Sequence, residues 1–148
     1  MRRASRFLVF ALVLSACGWG AAQTTAPPSP TAPAMQVVAE GQFVDIDGSA
    51  TGKAPLAVVG EVYEVVLEDF SIDSIEHTNV VLVANDSVTM SDDIDPAALL
   101  DLGPLKATSG MHVYPIPAEM AATVMDGYHS VVIWDTAMAH VIAAAALQ

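Results

Sequence analysis

The chain has 148 residues, 53% of them hydrophobic, and its 17 acidic side chains outnumber five Lys and Arg. Arg2, Arg3 and Arg6 are three of those five, so everything beyond them sets only Lys53 and Lys106 against all 17 carboxylates. So acidic a chain lacks the clustered Lys and Arg that hold nucleic acid or an anionic lipid surface, and its single cysteine excludes an internal disulfide.

Arg2, Arg3 and Arg6 form a positively charged start, Phe7 to Leu14 an apolar run, and Leu14-Ser-Ala-Cys17 ends it with small residues before cysteine. The run is too short to cross a hydrocarbon core of roughly 30 Å as a helix. The pattern resembles a bacterial lipoprotein signal peptide over residues 1–16, after which Cys17 becomes the diacylated N-terminus. An ordinary secretory leader cut near Ala22 is the other reading. Lipidation of Cys17 consumes the thiol and leaves the mature chain none for catalysis or metal ligation. Residues 17–35, rich in Pro, Ala and Thr, are expected to be a tether, and residues 36–148 a single domain. The expected location is the bacterial envelope, with the exported domain held to a membrane by lipid.

Gln36 to Ile46 predicts a first strand, ended by Asp47-Gly48 and a small-residue turn reaching Gly52. Gly48 to Ala54 is one residue short of a phosphate loop and lacks its Ser or Thr, and Asp45-x-Asp47-Gly48 brings glycine too early for a calcium hand. From Gly60 to Ile72, Tyr63, Val65 and Leu67 alternate with Glu64 and Glu68 as in a half-buried strand. The phase then shifts to Phe70 and Ile72, which predicts a bulge near Glu68-Asp69, its carboxylates solvated or rimming a site. Asn79 to Ala84 has no alternation and fits a strand covered on both faces.

In the acidic segment that follows, Asp95 as N-cap, Pro96 at the first helical position and Gly103 as terminator predict a short helix. Asp92, Asp93, Asp95 and Asp101 carry oxygens suited to a hard cation, but their spacing fits no metal loop, so surface charge and capping are the expected roles. Met111 to Ile116 reads as a strand, Ala118 to Asp126 as a helical turn or loop, and Tyr128 to Trp134 as the strongest strand. Thr136 to Gln148 stays open: its alanines favour helix, Val141 and Ile142 a closing strand. The sum is an all-β, antiparallel, β-sandwich-like single domain with one short helical turn.

Gly41-x-Phe43, Leu67-Glu-Asp-Phe70, Asn79 to Ala84, Leu102-Gly-Pro-Leu-Lys106, Gly110, Tyr114-x-Ile116-Pro117 and Tyr128-x-Ser-Val-Val-Ile-Trp134 together resemble the DM-thirteen domain family. That resemblance implies a β-sandwich-like domain of exported and cell-surface proteins, described as an electron-transfer module. In the family a cysteine directly after the tryptophan is proposed to do redox work or hold a prosthetic group such as haem. Here that position is Asp135, whose hard, redox-inert carboxylate cannot replace a thiolate.

Two readings follow. In the first, the chain is a non-catalytic binding or accessory module with no cofactor. In the second, it transfers electrons through haem or copper, held by Asp135, Met138 and His140 at the turn between the last two strands, with His77 or His112 reaching the metal from elsewhere. The plain alternative makes Met138 a core residue and puts His140 on a half-exposed strand. His129 shares a strand face with Asp135, but six residues at about 3.3 Å each keep them roughly 20 Å apart. No Gly-x-Ser-x-Gly or His-Glu-x-x-His is present, so an enzyme is the poorer class. The expected partners are the membrane, through Cys17, and a cationic or redox protein; a structural or adhesive role through the acidic surface is a third reading.

Overall fold

Strand-forming sequence dominates the described residues, 33–148, of the computed structural model; the leader, Cys17 and the tether up to residue 32 lie outside them. The strands are β1 (Met35–Gln42), β2 (Val44–Asp45), β3 (Ala50–Val59), β4 (Val62–Ile72), β5 (Thr78–Val83), β6 (Leu100–Pro104), β7 (Ser109–Pro115), β8 (Ser130–Asp135) and β9 (His140–Ala146). They form two antiparallel sheets, β1-β3-β4-β7 and β2-β9-β8-β5-β6. The expected all-β sandwich is therefore the fold.

The segment read as one first strand is two. β1 pairs with β3 in the first sheet and β2 with β9 in the second. Between them Phe43 turns inward to meet Phe70 edge-on, ring centroids 5.5 Å apart. Gly41 permits this crossing, because a Cβ there would lie 2.5 Å from the Ala146 carbonyl oxygen. The small-residue turn is also shorter than its composition suggests, since β3 begins at Ala50. Gly52 sits at a bulge of β3 with φ +119°, facing the predicted bulge of β4, where the register with β7 slips between Leu67 and Phe70 and Asp69 has φ 49°.

The predicted helix after Asp95 is absent. Asp95 does cap, its Oδ1 accepting from Ala97 N–H at 2.9 Å, but only a turn follows. Leu100–Pro104 instead becomes β6, because the edge of β5 offers unpaired backbone groups that a helix could not satisfy. The helical piece lies where a turn or loop was open, as a 3-10 turn at Ala118–Met120 continuing into α1 (Ala121–Gly127). The ambiguous C-terminal segment is β9. Hydrogen-bonded to β8 on one side and β2 on the other, with Ala143 and Ala145 buried in the core, it overrides the helix propensity of its alanines.

One core fills the space between the sheets, with Leu56, Val65, Leu67, Phe70, Leu82 and Ile133 at its centre. A second lies on the opposite face of the β8 sheet, where Val88 and Ile94, from the acidic β5–β6 connection, cover Val81, Val83, Val132 and Trp134. Two covered faces explain why β5 has no alternation. The cover is pinned by Ser91, whose Oγ donates to Asp47 Oδ2 at 2.6 Å and accepts from Val141 N–H at 2.8 Å. Asp93 Oδ2 accepts from Thr89 N–H, Thr89 Oγ–H and Met90 N–H. These bonds, led by the Thr89 N–H, hold its carboxyl below the usual value.

Candidate functional site

At one end of the sandwich the sheets part around a cleft of about 420 Å³, within the roughly 300–1,000 Å³ range of small-molecule sites. Each wall ends a strand: Ile72 closes β4, Thr78 opens β5, Asp135 closes β8 and His140 opens β9, while Gly48 and Ser49 come from the turn before β3.

Asp135 lies at the centre of this end, opposite Thr78 on β5 and His140 on β9. Its Oδ1 accepts from the backbone N–H groups of Ala137 at 2.8 Å and Met138 at 2.9 Å, closing the β8–β9 turn. The Met138 N–H is the main cause of a carboxyl pKa below the ordinary value; partial desolvation opposes it, while Ala137 N–H, His140 and His77 add to it. Thr136 fastens the turn to the neighbouring strand connection, its N–H and Oγ–H both donating to His77 O, at 2.7 and 2.9 Å. Two non-glycine residues in the left-handed region flank the cleft, His77 at φ 56° and Ala139 at φ 53°. Each such conformation costs on the order of 1–3 kcal/mol, so the surrounding bonds must hold this rim in place.

The cleft is lined by His77, Asp135, Met138 and His140 together. Met138 is not a core residue: it is 70% exposed, whereas His140 is half-buried on β9, as the plain alternative has it. His112 stands apart on β7, opposite Leu67, with its ring edge-on to Phe70 and its buried Nε2 lacking a hydrogen-bond partner. His129 precedes β8, at the end of that strand remote from Asp135, with Nδ1 3.8 Å from Asp86 Oδ1. Among the described residues no group of three or more His, Cys, Asp or Glu side chains is placed to hold a metal ion. With Asp135 Oδ1 engaged in its turn and His112 elsewhere, the sequence-proposed donors that meet at the cleft are His77, Asp135, Met138 and His140.

Ser49, Asp73, Ser74, Glu76 and Thr78 also line the cleft, and sequence reasoning did not single them out. The polar run from Asp73 to His77 between two apolar strands marks a connection, but only the sheet arrangement shows which end it occupies. Behind the cleft, Leu105 N–H donates to Thr78 O at 2.8 Å. The Tyr114 hydroxyl accepts from Lys106 N–H at 3.1 Å and donates to Pro104 O at 3.3 Å. Burial raises the pKa of this phenol. The Leu102–Lys106 segment and Tyr114 thus serve as scaffold. Compared with family models, with curated proteins and with solved structures, the chain gives no match.

Proposed function

We propose that this chain is a lipid-anchored accessory module of the bacterial envelope, resembling DM-thirteen domains, that binds through its end cleft and has no redox centre of its own. The observation that carries this reading is the engagement of Asp135. The residue standing where the family has cysteine uses its Oδ1 to cap a turn, accepting from Ala137 and Met138 N–H. The oxygen so occupied is a structural acceptor, and the carboxylate is a hard, redox-inert group. The cleft itself supports binding, since it joins aliphatic Ile72 and Ile142 to several polar and charged groups. The basic start, apolar run and Cys17 support the anchor, and the Pro-rich tether would hold the domain off the membrane.

The test is a visible absorption spectrum with elemental analysis of the full chain, exported into an oxidising compartment and purified without chelator. The expected product is colourless and carries no stoichiometric metal. A Soret band, or near-stoichiometric copper abolished by His140→Ala, would overturn the reading in favour of electron transfer.

A further inference from the structure

Three carboxylates line the cleft, Asp73, Glu76 and Asp135, and no Lys or Arg joins them. The described residues contain two lysines, and both are engaged elsewhere: Lys53 Nζ pairs with Glu40 Oε1 at 3.2 Å, and Lys106 Nζ lies over the Tyr114 ring and donates to Val113 O. Among the described residues no side-chain hydrogen bond or ion pair satisfies Asp73 or Glu76.

An anionic ligand would meet three carboxylates with no Lys or Arg to offset them, and a neutral one would leave the exposed Asp73 and Glu76 with only water as partner. The remaining lining offers aliphatic surface from Ile72, Ala137, Met138 and Ile142, and includes no Phe, Tyr or Trp. Without an aromatic cage, a compact quaternary ammonium has nothing to stack on. A volume of about 420 Å³ far exceeds that of one bare ion and admits a flexible chain. His77 and His140 add ring nitrogens that, in the neutral imidazole, accept from N–H donors.

We infer that the cleft binds a linear aliphatic polyamine, its ammonium groups meeting Asp73, Glu76 and Asp135, its methylenes on Ile72 and Ile142. This rests on reading the cleft as the binding site and adds the ligand class.

The experiment is calorimetric titration of spermidine into the full chain, produced with its own leader and purified in a non-ionic detergent. Saturable binding of one molecule per chain is expected, weakened at least roughly tenfold in Glu76→Gln/Asp135→Asn. The amide of Asp135→Asn keeps an oxygen for the Ala137 and Met138 N–H groups, and a thermal melt checks that this variant is folded. The charge-matched control Glu119→Gln/Asp126→Asn lies at the opposite end of the sandwich, where Ile116 N–H meets Tyr63 O before α1 begins, and should bind as wild type does. Non-saturating heat, or equal loss in both double variants, would reduce the effect to general attraction by an acidic surface and overturn the inference. Saturation by an uncharged diol of equal length, with none by spermidine, would also overturn it while leaving the binding-module reading intact. A haem or copper centre found in the spectrum would instead remove that underlying reading.

Discussion

Asp135 satisfies two backbone donors of the β8–β9 turn with a single oxygen. Asp135→Ala frees both N–H groups and should cost about 1 kcal/mol, the usual loss when a capping acceptor is removed, whereas Asp135→Asn, which keeps an acceptor but not the charge, should melt between wild type and Asp135→Ala at neutral pH. Those donors lower the folded carboxyl below the ordinary 3.8, so near that pH the folded side chain binds fewer protons than the unfolded one. Its stabilisation is therefore complete above the unfolded value and lost as pH falls through the lower folded value. In melts from about pH 7 to about pH 3, the gap between wild type and Asp135→Ala should narrow only below about pH 4. A gap constant down to the most acidic melt would show that the turn does not draw on the ionised carboxylate. Asp135, Met138 and His140 were legible as neighbours because a tight hairpin keeps six consecutive residues together. The choice between His77 and His112 was not legible, since it depends on which strand crosses to which sheet.

At the scale of elements, the connection between β5 and β6 is a cover rather than a spacer. Ile94 is 6% exposed against the cluster that holds Trp134. Ile94→Ala should lower stability by about 2 kcal/mol, the low end for burial-losing Ile substitutions because the site borders solvent. It should also shift Trp134 emission to the red. Denaturant melts followed by fluorescence measure both, and an unchanged midpoint with unshifted emission would remove the cover from the account. The unalternating Asn79 to Ala84 run announced two covered faces without revealing what covered the second. Local signals misled after Asp95, where cap, proline and terminating glycine suit a helix but Leu100–Pro104 completes a sheet edge. Capping free energies of about 1 kcal/mol each are easily exceeded when a run of backbone groups gains ladder partners.

For the whole molecule, membrane attachment by Cys17 is the first thing to measure. Metabolic labelling with an alkyne fatty acid should mark the wild-type chain and leave Cys17→Ser unmarked. Absence of label in both, with a mature N-terminus near Gln23, would establish the ordinary secretory leader instead. The charge of the domain belongs to this scale too. Seventeen carboxylates facing two lysines repel polyanions from every side and favour cationic ligands throughout, which is why a charge-matched control accompanies the spermidine titration.

The sequence by itself determined the all-β class, the bulge at Glu68-Asp69, the doubly covered β5 and the strongly acidic surface, because strand periodicity and charge are carried by residues close together in the chain. Tertiary structure decided the rest. It switched the first strand between sheets at Phe43, made a strand of the alanine-rich C-terminus, and set His77, Asp135 and His140 around one cleft while leaving His112 outside it. Each of these outcomes draws on long-range backbone pairing, β2 with β9 and β5 with β8, whose partners lie about 50 to 100 residues apart and leave no trace in local composition.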